Sequence, residues 1–297
     1  MLKRFIPIFD WLPNYRSDYL RGDLSAGLTV GVMLIPQGMA YAMIAGLPPV
    51  YGLYASIVPQ LIYAILGTSR QLSVAPVAMD SLLVATGVSV LAVEGTDAYI
   101  SFAILLAFFM GAFQFLLGVF RLGFITNLLS RPVISGFTSA AAFIIGLNQL
   151  KHLLGIELTK SSQAFEILQS LFSEISKTHL LTFGLGVVGI LIIKYAKKVH
   201  PSFPGALVAV VAGTLLVYLF QFENVSIVRG IPEGFPQFIV PNLTLDSFQQ
   251  LAPFAMTIAV IAYMEAFSVA KAIETQRRDH TIRPSHELVA LGAANIV

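Results

Sequence analysis

Long apolar runs recur along the chain at residues 24–44, 49–67, 76–93, 98–120, 132–150, 179–195, 204–221 and 249–273, and a ninth starts near 287. A helix rises ~1.5 Å per residue and a bilayer's hydrocarbon core is ~30 Å thick, so about 20 residues make one crossing. The pattern therefore predicts an all-α, polytopic membrane protein of about eight spans joined by polar connections. Composition agrees: 56% of residues are hydrophobic and 11% charged, with a mean hydropathy of +0.79. Soluble domains carry about 25% charged residues, so water is not the solvent for most of this chain. The absence of cysteine excludes disulfides, thiolate metal sites and cysteine nucleophiles.

Charge position orients the spans, because Lys and Arg accumulate on the cytoplasmic side of a membrane. With the N-terminus inside, Lys3, Arg4, Arg16, Arg21, Arg70, Arg121, Arg131, Lys194, Lys197, Lys198, Lys271, Arg277, Arg278 and Arg283 are cytoplasmic. Only Lys151, Lys160, Lys177 and Arg229 fall outside, four of the 18 basic residues. The connections 94–97 and 222–248 are acidic and external. Residues 1–23, with a broken apolar stretch from Phe5 to Leu12 and no small-residue cleavage site, read as a cytoplasmic lead-in rather than a signal peptide. The polar stretch 157–178 has apolar residues at helical spacing and reads as a helix along the outer interface. Asn224 and Asn242 each open an N-x-Ser/Thr triplet in an external connection.

Away from the span ends there is no Lys or Arg, and the only carboxylates are Asp80 and Glu265. An ionisable group at mid-membrane costs several kcal/mol unless it is paired, hydrated or neutralised, which makes both functional candidates. The alternative for Glu265 is a helix-packing carboxyl; for Asp80 it is a first-turn acid satisfying free backbone N–H groups after Pro76. Pro76 suits the first turn of a helix and cannot continue one from before it, so SVAP followed by VAMDSLLVATGV reads as extended backbone entering a helix inside the membrane. Such a helix end offers amides and a positive dipole to an anion without any basic side chain. A continuous, Pro-kinked helix is the competing reading. Gly27 with Gly31, and Gly184, Gly186 and Gly189, suit close helix contact. The five histidines show no metal-ligand spacing.

The run PPVYGLYASIVPQLIYAILGTSRQLSVAPVA from Pro48 to Ala78, preceded by IPQGMAYA from Ile35 to Ala42, resembles the signature of the sulfate permease (SulP) family of anion transporters. The likeness continues through RLGFITNLLSRPVISGF (Arg121 to Phe137) and FPGALVAV (Phe203 to Val210), so it covers essentially the whole chain. The resemblance implies a seven-plus-seven inverted repeat with a discontinuous third helix, of which this chain carries the first half. Residues 1–23 would be a cytoplasmic segment, 24–120 core-domain helices, 132–221 gate-domain helices, and 249–297 the start of the second repeat. Because the chain stops at ALGAANIV, inside the ninth helix, the tenth helix and the cytoplasmic STAS domain of the family are expected to lie outside it.

The resemblance also places Gln37 and Tyr41 of the first span and Val77 and Ala78 of the third around the bound anion. Gln37 would donate an amide hydrogen bond and Tyr41 supply an aromatic wall with a polar tip. Glu265 matches an acid that serves ion coupling in many members, with Ser268 one turn on and Asp80 a further candidate. The function implied is secondary active transport of inorganic anions, most naturally proton-coupled sulfate or related oxyanion symport. Sodium-coupled bicarbonate transport, or an anion exchanger or channel on the same scaffold, stays open. An enzyme would need a clustered nucleophile, a metal-ligand set or a cofactor site inside the spans, and the sequence offers none. The expected partners are a small inorganic anion of the sulfate or bicarbonate class, a proton or sodium ion, the bilayer of the cell membrane and a second copy in a homodimer. No cofactor and no nucleic acid is expected.

Overall fold

A computed structural model describes residues 6–124, 131–158, 164–199, 205–222, 225, 227, 234, 243–277 and 281–297. Asn224, Asn242, Lys3, Arg4, Lys160, Arg229, Arg278, His200 and His280, together with 125–130 and 201–204 of the motif stretches, lie outside the described residues. The helices in chain order are α1 Ile8–Trp11, α2 Ser17–Ile44, α3 Pro49–Tyr54, α4 Val58–Leu66, α5 Ala78–Ser89 and α6 Asp97–Val119. They continue as α7 Arg131–Leu154, α8 Ala164–Glu174, α9 Leu180–Val199, α10 Gly205–Phe220, α11 Leu245–Arg277 and α12 Pro284–Ile296. No strand occurs among the described residues.

Every predicted span coincides with a helix, but the helices differ in reach. By length and composition Ser17–Ile44, Pro49–Leu66, Asp97–Val119 and Leu245–Gln276 can each cross a membrane, and the bent pair Ala164–Lys177 and Leu180–Ala196 adds a fifth candidate. The second span is interrupted: α3 ends at Tyr54 and α4 begins at Val58, where Pro59 in the first turn has no N–H to continue the ladder. The third is only the 12 residues of α5, about 18 Å long and short of the ~30 Å core. The apolar surface is turned outward. Leu28 is 72% exposed, Leu61 62% and Leu219 69%, the arrangement expected of helices solvated by lipid rather than water.

The chain divides into two compact units, residues 1–23, 38–134 and 232–297 forming the first and 24–37 with 135–231 the second. In the first unit α6 is the central helix, packed on α11 and α12. Backbone approaches backbone at Gly111, where a Cβ would sit 2.8 Å from the carbonyl oxygen of Gly292; only glycine lets the two helices meet there. Gln114, fully buried, donates to the Ala259 carbonyl (2.9 Å) and accepts from Asn295 (2.9 Å), tying α6 to both neighbours. Val88, Tyr99, Leu106, Phe109, Leu251 and Ile258 form its main apolar core. A second cluster joins Tyr63, Tyr263, Leu288 and Leu291 with Leu72 and Val74.

In the second unit Leu147, Ile156, Leu158 and Ile167 close a small core beneath α8, and α8 meets α9 at 115°. Most of the glycines singled out in the sequence are not where helices touch: Gly27, Gly31, Gly184 and Gly189 have no described atom within 4 Å of an added Cβ, and only Gly186 meets a neighbouring helix, at the Leu153 side chain. Spacing along one helix marks a smooth face, but the partner is set by the fold, and close backbone approaches fall instead between Gly38 and Gly52 and at Gly111, Gly118 and Gly292.

Candidate functional site

The segment 67–77 between α4 and α5 carries no helix, and Val77 is extended (φ −124°, ψ 153°) at the N-cap of α5. A residue before proline is pushed out of the helical region, which keeps Ala75 out of a helix and delays the helix beyond Pro76. The expected position of Pro76 therefore needs correction: it stands before the cap rather than in the first turn, and Ala78 is the first helical residue. The first bond of the ladder runs from Ser81 N–H to the Val77 carbonyl at 3.0 Å. The N–H groups of Ala78, Met79 and Asp80 precede that ladder, and no side chain caps them. They form a short row of donors with the positive end of α5 behind it.

Asp80 occupies the third helical position without capping its own helix: its Oδ1 is buried and accepts no hydrogen bond. Glu265 on α11 is half-buried, and its Oε2 is in the same state. The two acids lie within electrostatic range of one another, although the sequence separates them by most of the chain. What brings them together is the contact of α5 with α11, where an added Cβ on Gly87 would lie 3.2 Å from the Phe254 ring and Val88 shares a core with Leu251 and Ala255. Ser268, exposed, follows Glu265 by three residues on the same face of α11.

Tyr41 is half-buried near the C-terminal end of α2 and belongs, with Val77, Ala78, Asp80, Glu265 and Ser268, to the first unit. Gln37, one turn before Tyr41, belongs to the second. There it lines a cavity of about 400 Å³ with Met33, Pro36, Ile193, Ala206, Ala209 and Val210. None of the other six candidate residues lines that cavity.

One buried polar group escaped the sequence reading. Glu287, at the start of α12, has no exposed surface and accepts hydrogen bonds from Tyr63 and Thr68. An acid one turn after Pro284 looks like ordinary first-turn chemistry. Only the buried tyrosine opposite it shows otherwise, and no local pattern reports that.

The sequence model described as the sulfate permease family matches residues 20–297. Sulfate transporter 4.1, chloroplastic, of Arabidopsis thaliana is 39% identical over 300 residues, covering 98% of this chain and 44% of that protein. A probable sulfate transporter of Mycobacterium tuberculosis (strain ATCC 25618 / H37Rv) is 36% identical over 294 residues, 96% of this chain and 52% of its own length. The chain thus spans about half the length of the curated relatives it matches. Among solved structures, that of SLC26A9 superposes with a TM-score of 0.90 at 25% identity, over 99% of this chain and 50% of that one. The transmembrane domain of a cyanobacterial bicarbonate transporter, BicA, shares the fold with a TM-score of 0.84 at 24% identity, over 95% of this chain and 72% of that one.

Proposed function

Because this chain belongs to the sulfate permease family, we propose that it forms the membrane-embedded part of a secondary active transporter of inorganic anions, whose activity is proton-coupled symport of sulfate or a related oxyanion. The observation that carries this reading is the start of α5 at Ala78, after eleven non-helical residues from 67 to 77. A row of backbone amides at a helix N-terminus is an anion site by its own chemistry. Inside a membrane, irregular backbone is tolerated where it lines a wet cavity or is buried in protein. The names of the relatives are those of transporters rather than enzymes.

In this mechanism the amides beginning at Ala78 hold the oxyanion, with the Val77 and Ala78 side chains shaping its contact surface. Tyr41 closes one side. Glu265 carries the coupled proton: protonated, it lowers the electrostatic cost of an anion nearby, and deprotonated it favours release. Asp80 adds a second negative charge that the arriving cation offsets. Helices within 24–120 and the start of the second repeat at 249–297 act as the core, and those within 132–221 as the gate. The protein works as a homodimer in the cell membrane with its N-terminus in the cytoplasm.

Uptake of radiolabelled sulfate into proteoliposomes, with imposed proton or sodium gradients and a panel of competing anions, tests the reading. Glu265→Gln is expected to lower proton-driven uptake at least about tenfold, the scale of removing a proton-transfer group, while leaving sulfate binding nearly intact. Full proton-driven uptake by that variant would defeat the coupling assignment. A sodium-coupled bicarbonate carrier is the second reading, supported by the Ser268 hydroxyl three residues beyond Glu265 as a further oxygen for a hard cation. The sodium arm of the same assay separates the two.

A further inference from the structure

Glu287 is an acidic side chain with no exposed surface. Tyr63 of α4 donates its hydroxyl to Oε2 at 2.6 Å, and the Thr68 N–H donates to Oε1 at 2.7 Å. The Thr68 hydroxyl also donates to Oε1, and its oxygen accepts the Arg283 N–H at 3.2 Å. Thr68 is the second residue of the non-helical segment 67–77, and Leu72 and Val74 of that segment pack on the cluster of Tyr63, Tyr263, Leu288 and Leu291. Tyr263, fully buried and two residues before Glu265, donates its hydroxyl to the carbonyls of Pro284 (3.1 Å) and Gly123 (3.3 Å). One corner of the first unit therefore grips both the segment that ends at Val77 and the helix that carries Glu265.

A buried carboxylate is costly to keep, and packing alone does not require one: an apolar side chain of similar volume would fill the space at less expense. What the carboxylate adds is two acceptor oxygens with fixed directions, aimed at a turn and at a tyrosine on a neighbouring helix. We propose that Glu287 is a positioning residue for anion binding: by holding Thr68 and Tyr63 it sets where the segment 67–77 delivers Val77 and the amides of α5. This rests on the transport reading above. It assigns Glu287 no contact with anion or coupling ion; its effect runs through the backbone it anchors.

The test compares Glu287→Gln, Glu287→Ala and Tyr63→Phe in the full-length protein, reading sulfate KM and Vmax in proteoliposomes beside thermal stability. The glutamine amide keeps an oxygen for Thr68 and turns its N–H₂ to the Tyr63 oxygen, so KM is expected to stay within about twofold. Alanine removes every bond and is expected to raise KM roughly tenfold or more, the scale of hydrogen bonds to a charged group. Tyr63→Phe keeps the ring and its packing, loses one bond and should raise KM about threefold to tenfold in folded protein. Should the alanine variant not fold, the other two substitutions decide. Unchanged KM in Tyr63→Phe, or a glutamine variant with KM raised as far as tenfold, overturns the proposal. If the unaltered protein moves no sulfate, the transport reading is what fails. Amide exchange across 67–77 then decides the positioning separately: faster exchange in Tyr63→Phe supports it, and unchanged exchange overturns it.

Discussion

A single polar side chain and a single missing methyl hold the centre of the first unit, and they differ in what they resist. Gln114 joins α6 to α11 and α12 by two hydrogen bonds, and interhelical bonds of this kind in membrane proteins average about 0.6 kcal/mol each. Gln114→Leu preserves the volume and is expected to cost about 1 kcal/mol, a drop of a few degrees in detergent melting temperature. Gly111→Ala meets backbone rather than side chain, at 2.8 Å from the Gly292 carbonyl oxygen and from Ile296 N. Neither can rotate away, so the helices must part, at a cost of about 2–3 kcal/mol typical of overpacking. Melting curves of the two variants check the ranking; an alanine variant as stable as the leucine one would mean the helices slide apart freely. At this scale the sequence was legible for isolated chemistry only. Asp80 and Glu265 stood out because they are acids inside apolar runs. Their proximity did not, nor did the burial of Glu287, since each depends on a partner more than a hundred residues away.

At the scale of elements, α5 carries the most informative prediction. If the anion is held by peptide amides, one of them can be removed without disturbing the helix. Proline is favoured at the first helical position because its missing N–H has no partner in the ladder, and it asks the preceding residue to be extended. Ala78 is that position and Val77 is already extended at φ −124° and ψ 153°. Ala78→Pro is therefore expected to leave thermal stability within about 1 kcal/mol while weakening sulfate binding roughly tenfold or more, the worth of one hydrogen bond to a charged group. Isothermal titration or competition binding checks it, and unchanged affinity would remove the α5 amides from the site. Helix existence was plain in the sequence here because apolar runs bounded by charge and proline leave few alternatives. Breaks were legible only where proline sits near the turn: Pro76 marked the start of the third span to within two residues. The interruption of the second span near Pro59 went unseen, because the flanking residues Ala55, Ser56 and Ile57 are as compatible with helix as with turn.

For the whole molecule, the sequence predicts an orientation, which helix geometry cannot supply. The helices of a span look the same from either face of a bilayer, whereas the excess of Lys and Arg distinguishes the faces because basic segments resist translocation. These 297 residues contain no cysteine, so a cysteine placed among them is the one thiol they carry. Gln71, in the connection after α4, and Thr281, before α12, are exposed and predicted to face the cytoplasm. Val93, 75% exposed in the connection between α5 and α6, is predicted to face outward. In intact cells a membrane-impermeant maleimide should label Val93→Cys and should reach Gln71→Cys and Thr281→Cys only after permeabilisation. Labelling of all three from outside would show that the apolar helices do not seal the chain into a membrane. Reversal of the pattern would invert the topology and put the charged lead-in outside. The predicted pattern would instead place α5's parent span as entering from the cytoplasm, so that the 67–77 segment, and the Glu287 corner that grips it, stand on the cytoplasmic side of the anion site.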